Sequence, residues 1–127
     1  MTSHILLVDD NAIQAATRKA ILSRLGRVVV VASDGRRALE LLQAADAAHP
    51  IGLVITDHLM PGMNGPEFVN ELRKHYPQLP VLVLSGMEDA EEAYEDLDVV
   101  FRMKPLPPDD LLHLVLKLLS NAVGRTA

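Results

Sequence analysis

Five short apolar runs punctuate this chain, and each stops at a polar residue or a breaker. His4-Ile5-Leu6-Leu7-Val8 closes on Asp9 and Asp10, and Arg27 to Ala32 carries four consecutive valines. Ile51 to Thr56 closes on Asp57, Pro80 to Leu84 closes on Ser85-Gly86, and Val99 to Met103 closes on Lys104-Pro105. Continuous rather than alternating apolar character implies burial on both faces, which is the mark of strands inside a parallel sheet.

Helical periodicity fills the gaps. Asn11 followed by Gln14 resembles a capping box, and Ile13, Thr17, Ala20, Ile21 and Leu25 recur at helical spacing before Gly26 ends the segment. Ser33-Asp34-Gly35 turns into a second helix with Ala38, Leu41, Leu42 and Ala45 on one face, stopped by His49-Pro50. After Asp57 comes a loop with Pro61, Gly62 and Gly65. Pro66 then suits the first turn of a helix that carries Phe68, Val69 and Leu72 inward and stops at Tyr76-Pro77. The acidic stretch Glu88 to Asp98 has few apolar residues and predicts only a weak, short helix. Pro107-Pro108-Asp109-Asp110 opens the last one, with acidic residues that suit its dipole. Strands alternating with helices predict an α/β, doubly wound (βα)5 fold: a five-stranded parallel sheet with right-handed crossovers, in the flavodoxin-like order 2-1-3-4-5.

Composition narrows the classes. The 127 residues suit one domain, with a core from about 4 to 121 and a tail from 122 to 127 that predicts fraying. There is no cysteine, so disulfides, thiolate metal sites and a Cys nucleophile are excluded. A net charge of -5 and 3% aromatic residues argue against direct nucleic-acid binding and base-stacking platforms. No apolar run is long enough for a membrane span and no signal peptide is evident, so the cytoplasm is the expected location.

The chemistry lies in how the strands end. In such a sheet the carboxyl ends share one rim, which would collect Asp9, Asp10, Asp57, Ser85 and Lys104. Three carboxylates in proximity repel unless protons or a cation intervene. Oxygen ligands without a His or Cys cluster point to Mg2+ or Mn2+. An ammonium and a hydroxyl beside them suit a charged oxyanion, and the set describes phosphoryl transfer onto an aspartate.

Four matching pieces, in order, carry a family resemblance. They are Leu-Leu-Val-Asp9-Asp10, Asp57-x-x-Met60-Pro61-x-Met63-Asn64-Gly65, Ser85-Gly86 and Phe101-x-x-Lys104-Pro105. From about His4 to Asn121 the chain resembles a receiver domain of two-component response regulators. The resemblance implies that Asp57 is the phosphoacceptor, served by a histidine kinase or a phosphotransfer protein. It implies that Asp10 binds Mg2+ directly and Asp9 largely through water, with Asp57 and the Leu59 backbone carbonyl as further ligands. It implies that Lys104 pairs with the phosphoryl oxygens and Ser85 hydrogen-bonds them, that Phe101 swings inward in response, and that the bond before Pro105 is cis. Met60 and Met63 read as packing residues. His58 is expected to face solvent, and Tyr94 carries no motif.

Three departures from the family pattern stand out. About three residues fewer than expected separate Ser85 from Lys104, so the fourth helix should be short, shifted or partly irregular. Leu59 and Met87, two beyond Asp57 and Ser85, are apolar where the family's side chains line the water path, which predicts a long-lived phosphoryl group. The last helix is apolar around most of its circumference from Leu111 to Leu119, which implies either extra packing or a homodimer or partner interface. Met1 lies close to the first strand, which favours a receiver at its protein's own N-terminus, either alone or as a fragment of a larger regulator or hybrid kinase. Rival classes fit less well. A hydrolase of the haloacid dehalogenase kind would want an acid where Leu59 stands, and a flavodoxin would want a phosphate loop where Asp9-Asp10-Asn11 stands. A receiver-like interaction module that is never phosphorylated is the alternative, and its usual sign is loss of an acid or the lysine. The chain is therefore expected to be a switch, not a turnover enzyme, with an output partner that the residues do not name.

Overall fold

Five strands pair side by side, all parallel, in the order β2-β1-β3-β4-β5. They are β1 (His4–Val8), β2 (Val29–Ala32), β3 (Ile51–Asp57), β4 (Val81–Ser85) and β5 (Val100–Met103). The structure, a computed structural model, describes residues 3–45 and 48–126, and the side chains of all of these except residue 89 and residues 121–126. Four α-helices connect or follow the strands: α1 (Ala12–Leu22), α2 (Gly35–Ala44), α3 (Gly65–His75) and α4 (Pro108–Thr126).

Strand side chains divide between two cores because successive residues point to opposite faces. Leu6, Val8, Val54, Val81 and Val83 meet α2 and α3 through Ala38, Leu42, Phe68, Val69 and Leu72. Ile5, Leu7, Leu53, Ile55, Leu82 and Leu84 meet α1 and α4 through Ala15, Leu22, Leu111, Val115 and Leu119. The register also sets the rim. Val8 pairs with Thr56 and Ser85 with Met103, so Asp9 leaves the sheet beside Asp57, and Lys104 leaves it beside Ser85.

Two expectations are corrected. The four-valine run is a half-buried edge strand, not a strand buried on both faces: Val29 is buried while Val28 and Val31 are exposed. At one end of the sheet order, it has a neighbour on one side only. In α1 Ala15, Arg18 and Leu22 turn inward, Ile21 and, just past the helix, Leu25 pack half-buried on the core as expected, and Ile13, Thr17 and Ala20 point outward, with Ile13 81% exposed. The capping box is half formed. Asn11 accepts from the Gln14 amide at 3.0 Å, whereas the Gln14 side chain turns to Lys104 instead of back to Asn11. A helix docked over a charged rim places polar residues inward at that end, and an apolar count along the helix misplaces Ile13, Thr17 and Ala20 while placing Ile21 and Leu25 correctly.

By contrast α3 has its full capping box, with Asn64 and Glu67 bonded reciprocally. In α4, Leu111, Val115 and Leu119 are buried and Leu114 and Leu118 half-buried, so among its described side chains only Leu116 is a large apolar group left widely exposed. Extra packing therefore accounts for most of its apolar character. Helical backbone continues through Thr126, past the point where the small and polar tail predicts fraying.

The shortened stretch behaves as its length and acidity predict. Glu88–Tyr94 is a 3-10 helix, and Asp96 and Asp98 take left-handed backbone with φ of 67° and 53°. Aspartate tolerates that conformation better than most residues. One side chain of α3 ties the end of the stretch down. Arg73 of α3 donates to the carbonyls of Leu97 (2.7 Å), Asp98 (2.7 Å), Tyr76 (2.9 Å) and Leu79 (2.6 Å). Charged donors to carbonyls contribute more than neutral ones. Arg73→Ala is expected to lower the unfolding free energy by about 2 kcal/mol in urea titration, through loss of these bonds. A change within a few tenths of a kcal/mol would show that the stretch is held by its apolar contacts alone.

Candidate functional site

Burial singles out the site without reference to any motif. Among the described residues the buried polar side chains are Asp9, Thr56, Asp57 and Ser85, and all four lie at the carboxyl ends of β1, β3 and β4. Burying carboxylates is costly unless they are paired or hydrogen-bonded, so their concentration on one edge marks a functional rim. Carboxylate oxygens of Asp9, Asp10 and Asp57 lie within 4.8 Å of one another, with Asp10 exposed and the other two buried. Such a donor set, all oxygen and partly open to solvent, fits a hard divalent cation.

Each member is placed by its element. β3 carries Asp57 to the rim, and Thr56 just before it donates to the Asp57 carbonyl at 3.0 Å. Lys104 follows β5 directly: its amide donates to the Ser85 carbonyl at 2.8 Å, and the Lys104–Pro105 bond is cis, as expected. Its Nζ then lies 2.8 Å from Asp57 Oδ1 and donates to Gln14 Oε1 at 3.3 Å. Ser85 Oγ accepts from the Met87 amide at 2.9 Å. Leu59 and Met87 are exposed at this end of the sheet. Phe101 is buried in the inward position, with its ring centroid 6.1 Å from that of Tyr94. Met60 is buried and Met63 half-buried in the core, the packing role expected of both.

Sequence reasoning missed three participants. Arg18 reaches from α1 into the acids, and one nitrogen stands 3.1 Å from Asp9 Oδ2 and 3.2 Å from Asp57 Oδ1. The available signal was its position four residues after Gln14, on the same helix face and above the strand ends. His58 is not solvent-facing: it is half-buried, with Nδ1 2.7 Å from the Tyr94 hydroxyl. Tyr94 itself is buried against Phe101. Burial, with Asp57 adding repulsion, pushes the Tyr94 hydroxyl well above its usual range, so it remains a neutral donor or acceptor. Gly65 makes room for this contact, because a Cβ there would collide with the Tyr94 hydroxyl and stand 3.0 Å from the His58 carbonyl.

The acids are not equivalent. Burial, reinforced by the hydrogen bond and repulsion from Asp57, pushes the Asp9 carboxyl up to about 6, against the lowering effects of the Asn11 amide and Arg18. A carboxyl raised from 3.8 binds more protons folded than unfolded between those values, so its contribution to stability falls as pH rises through that window. In protein kept free of divalent ions the Asp9 contribution to stability is expected to fall between about pH 4 and pH 6, and Asp9→Asn should flatten that part of the slope. Denaturant titrations at stepped pH check this. An equal slope in the variant would remove Asp9 as its source.

Comparison with known proteins agrees with this geometry. Residues 5–116 match the response regulator receiver domain family. The hydrogenase transcriptional regulatory protein HoxA of Cupriavidus necator is 32% identical over 116 residues, covering 87% of this chain and 23% of that protein. The two-component response regulator ORR5 of Oryza sativa subsp. japonica is 30% identical over 125 residues, covering 91% of this chain and 88% of that one. Among solved structures, a response regulator receiver protein from Pseudomonas putida superposes with a TM-score of 0.83 at 31% identity, over 92% of this chain and 98% of its own. The chain thus spans about a quarter of the length of some relatives and most of the length of others. Strand order, the acid rim and the matched span agree: this chain belongs to the response regulator receiver domain family of two-component systems.

Proposed function

We propose that this chain is a phosphorylation-dependent switch in which Asp57 takes a phosphoryl group from a phosphohistidine of a histidine kinase or phosphotransfer protein. A carboxylate oxygen of Asp57 attacks phosphorus, the P–N bond breaks, and its electron pair stays with the imidazole, which takes up a proton. The observation that carries this reading is the buried Asp57 carboxylate, flanked by Asp9 and Asp10 and held at 2.8 Å by Lys104. Asp9, Asp10, Asp57 and the Leu59 carbonyl would hold Mg2+ or Mn2+. When bound, that ion supplies charge neutralisation for the transferring group. Lys104 supplies a second positive charge from the turn after β5.

The response begins at Ser85 and His58. Donation from Ser85 Oγ to a phosphoryl oxygen would replace its long donation to the Met87 carbonyl at 3.5 Å, and so bear on the turn at Gly86. His58, adjacent to Asp57, grips Tyr94, which packs on Phe101. Phosphorylation adds close to two negative charges at the head of this chain of contacts and biases it between two arrangements. A buried Phe101 packed on Tyr94 would be one of them. A seat for the donor protein is offered by exposed Ile13 and the groove it shares with Ile21, Pro105, Leu106 and Leu111, which Lys104 borders. Output through a separate partner in the cytoplasm fits a domain of this kind. Among the described residues no helix is long and apolar enough to cross a membrane. A homodimer through α4 rests mainly on exposed Leu116 and is the weaker output reading. The alternative of a docking module that is never phosphorylated is disfavoured, because both acids, the aspartate and the lysine are assembled.

Acetyl phosphate with Mg2+ is expected to add one phosphoryl group by intact mass, with no adduct in Asp57→Asn or in EDTA. The adduct should decay slowly, because Leu59 and Met87 offer no polar group to an attacking water. Absence of an adduct in the wild-type protein would refute phosphoacceptor function, and release as fast as in chemotaxis-type receivers would refute the shielding role of the two apolar residues.

A further inference from the structure

We propose that Arg18 is a tethered counter-cation of the acid rim that competes with the divalent ion for the same carboxylates. This rests on the reading of Asp9, Asp10 and Asp57 as an ion site. A single guanidinium nitrogen bridges Asp9 Oδ2 and Asp57 Oδ1, two of the oxygen donors an ion would need, and the Arg18 side chain is only 14% exposed. Its anchor in the second half of α1 keeps it at the site, and the groove lined by Ile13, Gln14, Thr17 and Ile21 gives the side chain somewhere to go when it leaves.

Charge decides the direction of the effect. Three carboxylates against Lys104 and Arg18 leave the rim one negative charge. A divalent ion added to that set would make it net positive, whereas with Lys104 alone it brings the rim to neutrality. Ion and guanidinium therefore exclude each other, by shared ligands and by repulsion. The device has two consequences. The metal-free domain is spared the repulsion between buried acids, and the ion's affinity is set lower than the carboxylates alone would give. Ion occupancy then becomes a step that frees Asp57 from one of its two cations.

A merely structural ion pair would behave differently. Its loss would weaken the fold equally with and without ion, and would leave ion affinity unchanged or reduced. The competitor role moves the two readouts in opposite senses: lower stability without ion, higher affinity for it.

The test is Mn2+ binding followed by the paramagnetic resonance of the free ion, with thermal unfolding of the same proteins in EDTA and in saturating Mn2+. Wild type, Arg18→Met, Arg18→Lys and Asp57→Asn are compared. Arg18→Met is expected to bind Mn2+ on the order of tenfold more tightly than wild type and to unfold at lower temperature in EDTA, with most of that deficit recovered in Mn2+. Arg18→Lys, with the charge retained on a shorter reach, should fall between; it carries the test alone if the Met variant does not fold. Equal or weaker Mn2+ binding in the Arg18 variants overturns the proposal while leaving the ion site intact. No binding sensitive to Asp57→Asn in any of the proteins overturns the ion site itself, and the proposal with it.

Discussion

Negative charge confined at the end of a sheet is the constraint on which the rest of this structure turns. Register places Asp9 and Asp57 side by side, and the sheet buries both. Each must be neutralised, since an unpaired buried carboxylate is too costly to keep ionised. Neutralisation is shared among a proton retained on Asp9 to higher pH, the Lys104 ammonium fixed by the turn after β5, and the Arg18 guanidinium reaching in from α1. Any ligand that enters the rim redistributes charge among these three. A phosphoryl group does so most strongly, which is why this edge is suited to signalling and not only to binding.

The fold was legible because its three central strands are buried on both faces and its turns are marked by Pro and Gly. Continuous apolar runs at Ile5–Val8 and Val81–Leu84 have few other uses in a chain this short. The site was legible as far as it lay at strand ends, where the carboxylates, Ser85 and Lys104 are addressed by position alone. What escaped were residues addressed by tertiary contact. Arg18 looks like a solvated helix charge until α1 is docked with that face toward the rim. His58 looks exposed until Gly65 lets Tyr94 approach it. The valine run looks central until the sheet order makes it an edge. In each case the missing information was which face a neighbour covers.

The shortened stretch between β4 and β5 links these observations. An α-helix there would have its own cap and apolar face. The 3-10 turn has no side-chain cap and packs through Ala90 and Tyr94, and it is held by Tyr94 on one side and by Arg73 through Leu97 and Asp98 on the other. His58 is the point next to Asp57, so the segment touches the rim within one residue of Asp57.

The central claim is that chemistry at Asp57 is felt at Tyr94 and Phe101. Two-dimensional NMR of the wild-type protein with Mg2+, before and after beryllofluoride, tests it most directly. Large shifts are predicted for the amides of His58, Gly65, Ser85, Met87, Tyr94 and Phe101, with little change along β2 and the second half of α4. Shifts confined to Asp9, Asp10 and Asp57 would contradict the account and leave an acid rim that binds phosphoryl groups without passing the signal on.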